Sequence, residues 1–155
     1  MSSILDMTAK EAAMVYEEKI AWAGLPVSLL TLIGYVAVLL TRASSTPMPD
    51  TPYVDAMLGS IGVGVIVMIV ISIIAGITAR REGHVRDVRD KQIGARAEFT
   101  ARGVLVIGAL AALILAMLEA DTFWIAQAIF LGFALSALLE GITKVALYRR
   151  GMAEW

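Results

Sequence analysis

The chain has no cysteine in its 155 residues and a single histidine, His84. Without cysteine there is no disulfide, no thiolate zinc or iron–sulfur site and no thiol nucleophile. With one histidine, a haem held by a histidine pair does not fit within one chain. Charge is scarce as well: Asp, Glu, Lys and Arg make up 17% of the residues, where about 25% is usual. Apolar residues fill the gap, at 59% of the chain with a mean hydropathy of +0.78. The net charge of −1 averages over unevenly placed charges and so says nothing about partners.

Four apolar stretches account for most of the chain: 20–40, 56–79, 103–118 and 123–148. About 20 apolar residues cross a hydrocarbon core. Lipid offers the backbone no water, so each stretch is predicted to be a helix. The third is short and needs its helix to start inside the preceding polar segment, near Ala95. The fourth is about 39 Å long as a helix, so its charged end should emerge. A soluble bundle would show a polar face on each helix, and 56–79 has none. The predicted fold class is therefore all-α. It is a four-transmembrane-helix bundle forming one membrane domain, with a charged cytoplasmic extension of the third helix and a short N-terminal cytoplasmic helix.

Finer signals set the expected boundaries. Thr8 and Glu11 in "TAKE" have capping-box spacing, which predicts a helix starting near Ala9 and running into, or bending at, the membrane. Pro26 marks a place for a kink. The 41–55 segment, with Pro47, Pro49 and Pro52, reads as an irregular external loop, and Gly94 as a candidate break. The first apolar run exceeds the roughly 7–15 residues of a signal peptide and follows no basic region, so it should be retained. Trp22, Phe99 and Tyr148 are placed at one membrane interface and Tyr53, Phe123 and Trp124 at the other.

Lys and Arg predict the orientation. Segment 80–102 holds Arg80, Arg81, Arg86, Arg89, Lys91, Arg96 and Arg102, and the C-terminal end adds Lys144, Arg149 and Arg150. The 41–55 loop has only Arg42, and the turn after the third span has Glu119 and Asp121. Both termini and segment 80–102 are expected in the cytoplasm, with the chain in the inner (cytoplasmic) membrane.

The polar segment "REGHVRDVRDKQIGARAEFTARG", residues 81–103, carries its charges at helical spacing. Glu82 with Arg86, Arg86 with Asp90, and Asp87 with Lys91 are all four apart. This predicts a salt-bridged cytoplasmic helix with Arg86, Asp87, Arg89, Asp90 and Lys91 as its candidate interaction surface. His84, Asp87 and Asp90 could face a metal, but the third drifts off the helix face and three cations crowd it, so no metal site is expected. Nucleic acid needs an uninterrupted basic face, and here the signs alternate. Anionic headgroups of the lipid bilayer fit better, at about 1 kcal/mol per Lys or Arg. No nucleophile–base pair, phosphate loop or carboxylate pair stands out, so neither an enzyme nor a cofactor is expected.

Within the spans, small residues recur every fourth position: Ser60, Gly64, Ser72 and Gly76; Gly108, Ala112 and Ala116; Ala128, Gly132 and Ser136. Such rows mark close helix packing. The last continues to Glu140 and Lys144. Glu140 is the one acidic residue inside a span, hence a candidate site. Counted from the turn, Arg102 lies at nearly its level. Arg102 or Lys144 is therefore expected to pair with Glu140 across or along the helices, as a buried ion pair or possible ion site. Tyr35 and Gln127 are placed at one depth, for an interhelical hydrogen bond.

"DVRDKQI" at 87–93, "DTFWI" at 121–125 and "YRRG" at 148–151 resemble a family of small bacterial and archaeal membrane proteins of unknown function. Those proteins carry an Asp-x-Arg-Asp motif before the third of four helices. The likeness covers 84–151, with Val88 where the family has an acidic residue. It implies a four-helix inner-membrane protein, with some relatives encoded beside helix-turn-helix regulators, and it brings no catalytic residues. The expected function is that of a non-enzymatic accessory, regulatory or interaction subunit with a membrane-protein partner or as a homo-oligomer. The alternative is a small oligomeric transporter or channel using Glu140, similar to four-helix multidrug exporters, whose carboxylate lies in the first helix.

Overall fold

The computed structural model describes residues 2–81 and 88–150, without the side chains of 2, 3, 5–17, 79, 89 and 90. The described residues form four long helices: α1 (Ser2–Ala43), α2 (Val54–Arg81), α3 (Val88–Met117) and α4 (Thr122–Arg150). The one other element is a single 3-10 turn at Met48–Asp50. The fold is an all-α four-helix bundle. Each helix holds a stretch long and apolar enough to cross a membrane: Glu18–Ala43, Val54–Thr78, Lys91–Met117 and Thr122–Arg150.

Two expected boundaries change. The N-terminal helix runs on into the first span, one of the two courses expected, but it starts before Ala9: α1 is unbroken from Ser2 through Pro26 to Ala43. No Gly or Pro interrupts residues 2–23, so Thr8 lies inside the helix and the Thr8, Glu11 spacing does not mark its start. Pro26 costs one backbone hydrogen bond, to the Trp22 carbonyl. The third helix starts at Val88, earlier than Ala95, and passes through Gly94 without a break. Its charged part and its apolar part are therefore one rod of 30 residues.

The α3–α4 connection is short and specified by its backbone. The Ala120 N–H donates to the Leu115 carbonyl (3.0 Å) and the Glu119 N–H to that of Ala116 (3.1 Å). Glu119 takes a left-handed φ of 54°. This pattern closes a helix C-terminus. Asp121 then opens α4, its carbonyl accepting from the Trp124 N–H at 2.9 Å. The reversal makes α3 and α4 antiparallel neighbours.

Their contact is the tightest in the molecule. A Cβ on Gly108 would lie 2.6 Å from the Gly132 Cα, and one on Gly132 would lie 3.0 Å from the Gly108 Cα. Only glycine on both sides permits backbones this close. Further along, Ser136 Oγ donates to the Ala101 carbonyl at 2.9 Å, and Ile93, Ala97, Ala101 and Ala112 are all buried. The small rows of the third and fourth spans thus meet each other.

The remaining contacts set an order rather than a closed ring. α4 packs on α1, α1 packs on α2, and α2 makes no extended contact with α3 or α4 among the described residues. The helices stand in the sequence α2, α1, α4, α3. On α1 and α4, a Cβ at Gly141 would meet Leu25 Cγ at 2.9 Å, and Arg149 lies over the Trp22 ring at 4.7 Å. Most outward side chains are large and apolar, among them Leu58, Ile66, Ile107 and Leu113. Such a surface suits lipid.

Gly108→Leu should lower stability in a detergent unfolding titration by about 2–3 kcal/mol, through overpacking against the α4 backbone. Gly103→Leu, with nothing within 4 Å of its Cβ position, should stay within about 0.5 kcal/mol of the parent.

Candidate functional site

Two ends of the bundle differ in chemistry. At the end holding the 44–53 loop, the chain is tied down by side chains. Arg42 grips Asp55 with both guanidinium nitrogens (2.6 and 2.7 Å) and donates to the Pro52 carbonyl at 2.8 Å. Thr51 is buried, its hydroxyl donating to the Pro47 carbonyl at 3.0 Å. The loop expected to be irregular is therefore held over the helix ends.

Beneath it lies the one cluster of buried large residues: Tyr35, Leu39 and Phe123, with Tyr53, Met57 and Phe130 packed around them. Tyr35 and Phe130 have ring centroids 4.5 Å apart, and Tyr53 meets Phe123 edge-on at 5.1 Å. Phe123, in the first turn of α4, is a core residue at 3% exposure. It starts α4 facing α1, and the loop covers it. The Tyr35 and Gln127 hydrogen bond is present: Gln127 Nε2 donates to the Tyr35 hydroxyl at 2.6 Å, with Oε1 2.9 Å from the same oxygen. Both side chains are buried, so the bond fixes the register of α1 against α4.

Away from this core the row of helices leaves a groove of about 1030 Å³, with α1 as floor and α2 and α4 as walls. It extends on α2 from Met57 to Ile73 and on α4 from Ala126 to Ala137. Isoleucine, valine, methionine and phenylalanine dominate the lining. Three of its four hydroxyls are turned inward to their own helices. Ser28 donates to the Gly24 carbonyl (3.1 Å), Thr31 to that of Val27 (2.9 Å) and Ser60 to that of Met57 (2.9 Å). A guest here meets a mostly apolar wall, with Ser72 as the fourth hydroxyl.

The charged candidates fall at the other end. Lys144 Nζ lies 2.6 Å from Glu140 Oε1, and both side chains are about one-third exposed. Arg102 pairs instead with Glu98 on its own helix, at 2.6 Å, and is 68% exposed. Of the two partners expected for Glu140, the structure joins Lys144. Depth alone does not separate Arg102: the Gly108–Gly132 contact sets Glu140 level with about Thr100, and the Ser136–Ala101 bond sets it level with about Ala97. Rotation does, because rows with four-residue steps drift by about 40° per step on a helix of 3.6 residues per turn. The row that faces α3 at Gly132 has turned towards the groove by Glu140 and Lys144. These two continue the stripe of Phe133 and Ala137, both groove residues.

The candidate interaction helix is only partly described. Arg86 and Asp87 lie outside the described residues, as do His84 and the side chains of Arg89 and Asp90. Lys91 is exposed at the start of α3. The groove was missed by sequence reasoning. The available signal was Ser72 and Gly76 on α2, where among the described residues nothing comes within 4 Å of a Cβ on Gly76.

Compared with known proteins, the chain matches no family, no curated protein and no solved structure. What it is follows from its helices. The chain is a multi-pass integral membrane protein.

Tyr35→Phe should cost about 1–2 kcal/mol in detergent unfolding by leaving the Gln127 amide without its partner, and adding Gln127→Leu should recover part of the loss. For the charged residues, a double-mutant cycle of Glu140→Gln with Lys144→Gln should give a coupling of about 0.5 kcal/mol. The cycle of Glu140→Gln with Arg102→Gln should be additive within about 0.3 kcal/mol.

Proposed function

We propose that the protein is a non-enzymatic interaction subunit of the cytoplasmic membrane, accessory or regulatory to its partner, and that it works by receiving a transmembrane helix in the groove between α2 and α4. The observation that carries this reading is the open order of the helices, which leaves a long, mostly apolar groove in which three of the four hydroxyls are already bonded. The groove on α2 runs for about 24 Å from Met57 to Ile73. That exceeds one leaflet of a hydrocarbon core about 30 Å thick, so an occupant that spans both leaflets fits it better than one lipid chain. The bilayer remains the protein's solvent, and Arg80, Arg96 and Arg150, exposed at the basic end, suit anionic headgroups. In this proposal the basic end, with both termini, is cytoplasmic. Membership of the small four-helix family that residues 84–151 resemble belongs to the same proposal.

One observation favours a second reading. Glu140 lies on the stripe of α4 that lines the groove, so a lipophilic cation moving along it would reach a carboxylate. Lys144 already neutralises that carboxylate at 2.6 Å, which is why the docking reading ranks first. Proton-coupled uptake of a lipophilic cation into liposomes, lost in Glu140→Gln, would establish transport in its place.

Docking is tested by filling the groove. In mild detergent the parent should run as an assembly of more than one polypeptide, and Ala137→Trp should reduce that assembly at least tenfold while the chain keeps its melting temperature. A parent that is a single polypeptide would overturn the proposal. Orientation is checked in the cysteine-free background. A cysteine at Ser45, in the exposed loop, should react with an impermeant maleimide on intact cells, and one at Arg150 only after lysis.

A further inference from the structure

We infer that the helix received by the groove is α2 of a second copy of this chain, exchanged about a two-fold axis along the membrane normal. This rests on the docking proposal and names its partner.

Three observations select α2. Its charge suits the groove: from Ala56 to Ala79 it carries no ionisable residue, and the groove carries none either. A helix with a buried charge would find no partner in this lining, and one needing hydrogen bonds would find three of the four hydroxyls, those of Ser28, Thr31 and Ser60, already bonded to their own helices.

The face α2 turns to the groove is shaped for another backbone. Val65, Ile69 and Ser72 line the groove, and Gly76 follows one turn on. Ser72 and Gly76 are exposed, and among the described residues nothing lies within 4 Å of a Cβ on Gly76. Among them that glycine has no packing partner, although glycine weakens a helix relative to any ordinary residue. Contrast Gly64, whose Cβ position already meets Thr31 of α1 at 3.6 Å. Small residues at this spacing are what lets two membrane helices approach.

The geometry closes. α2 is both a wall of its own groove and a free edge of the row. A two-fold axis that seats α2 of one copy over α1 of the other, between its α2 and α4, returns the same seating in reverse. The contact is isologous and ends at two copies. Each copy then covers two strips about 24 Å long by 10–12 Å wide, on the order of 500 Å² in projection. A corrugated helix surface has more accessible area than its projection, which reaches the order of the 800 Å² per partner found in stable complexes.

The chain's lack of cysteine makes the test clean. Ser72→Cys places the thiol on the mutual face, and Ile74→Cys, two residues on, places it on the opposite side of α2 as an exposed control. Copper phenanthroline oxidation in native membranes, followed by denaturing electrophoresis, should trap at least tenfold more dimer for Ser72→Cys than for Ile74→Cys. Gly76→Leu, added to Ser72→Cys, should cut that yield by at least tenfold while the melting temperature stays unchanged, because its side chain meets none of the described residues of its own copy. Intact-complex mass in mild detergent should give two copies of the chain. A complex with a different polypeptide, with equal trapping at Ser72→Cys and Ile74→Cys, would overturn the second copy and leave helix docking standing. A single chain carrying only lipid would overturn both.

Discussion

Each backbone amide in the apolar spans must find its partner inside its own helix, because hydrocarbon offers none. Everything else in the structure is arranged around this constraint. It turns Ile- and Val-rich stretches such as 56–79 into helix despite their strand preference. It also removes the hydrophobic effect as a reason for helices to meet, since a neighbouring helix is no more apolar than lipid. Association therefore falls to close approach and to a few polar contacts, and the molecule concentrates both in particular places.

Close approach is concentrated between α3 and α4, where Gly108 and Gly132 bring the backbones together and the Schellman-type turn at Glu119 sets them antiparallel. Polar contact is concentrated at the loop end, where Tyr35 meets Gln127 between α1 and α4 and Arg42 holds Asp55 between α1 and α2. α2 receives the least. Its first turn joins the aromatic core through Met57, and below that it has α1 alone as an extended neighbour. The groove is the direct consequence of that imbalance. The interior is well packed on one side and open on the other, and it is the open side that the proposed docking helix would fill.

The spans were legible because length, hydropathy and the absence of charge are local properties, and the four stretches appear with their ends moved by a few residues. The end of α3 that reaches back to Val88 was less visible, since polar residues at helical spacing do not say where a helix starts. Helix pairing was half legible. The small rows around Gly108 and Gly132 could be seen, and the short turn at 118–121 forced those two helices together. Glu140 shows where such reading fails. A four-residue row looks like one face on paper, yet it drifts around the helix, so the row containing Gly132 faces α3 while Lys144 faces the groove. Arg102 was placed by counting from the turn, which gives depth and not rotation, and on its own helix Glu98 takes its guanidinium at 2.6 Å.

By itself the sequence determined that this chain is helical, that it crosses the membrane four times, and which residues stay near water. Those follow from the transfer of each segment between water and lipid, to which distant parts of the chain contribute little. Only the tertiary structure decided that the helices stand in the order α2, α1, α4, α3, that Glu140 pairs with Lys144 rather than Arg102, and that Ser72 and Gly76 border an open groove. Those depend on how helices far apart in the chain rotate and slide against one another, which is set by side-chain contacts across the bundle.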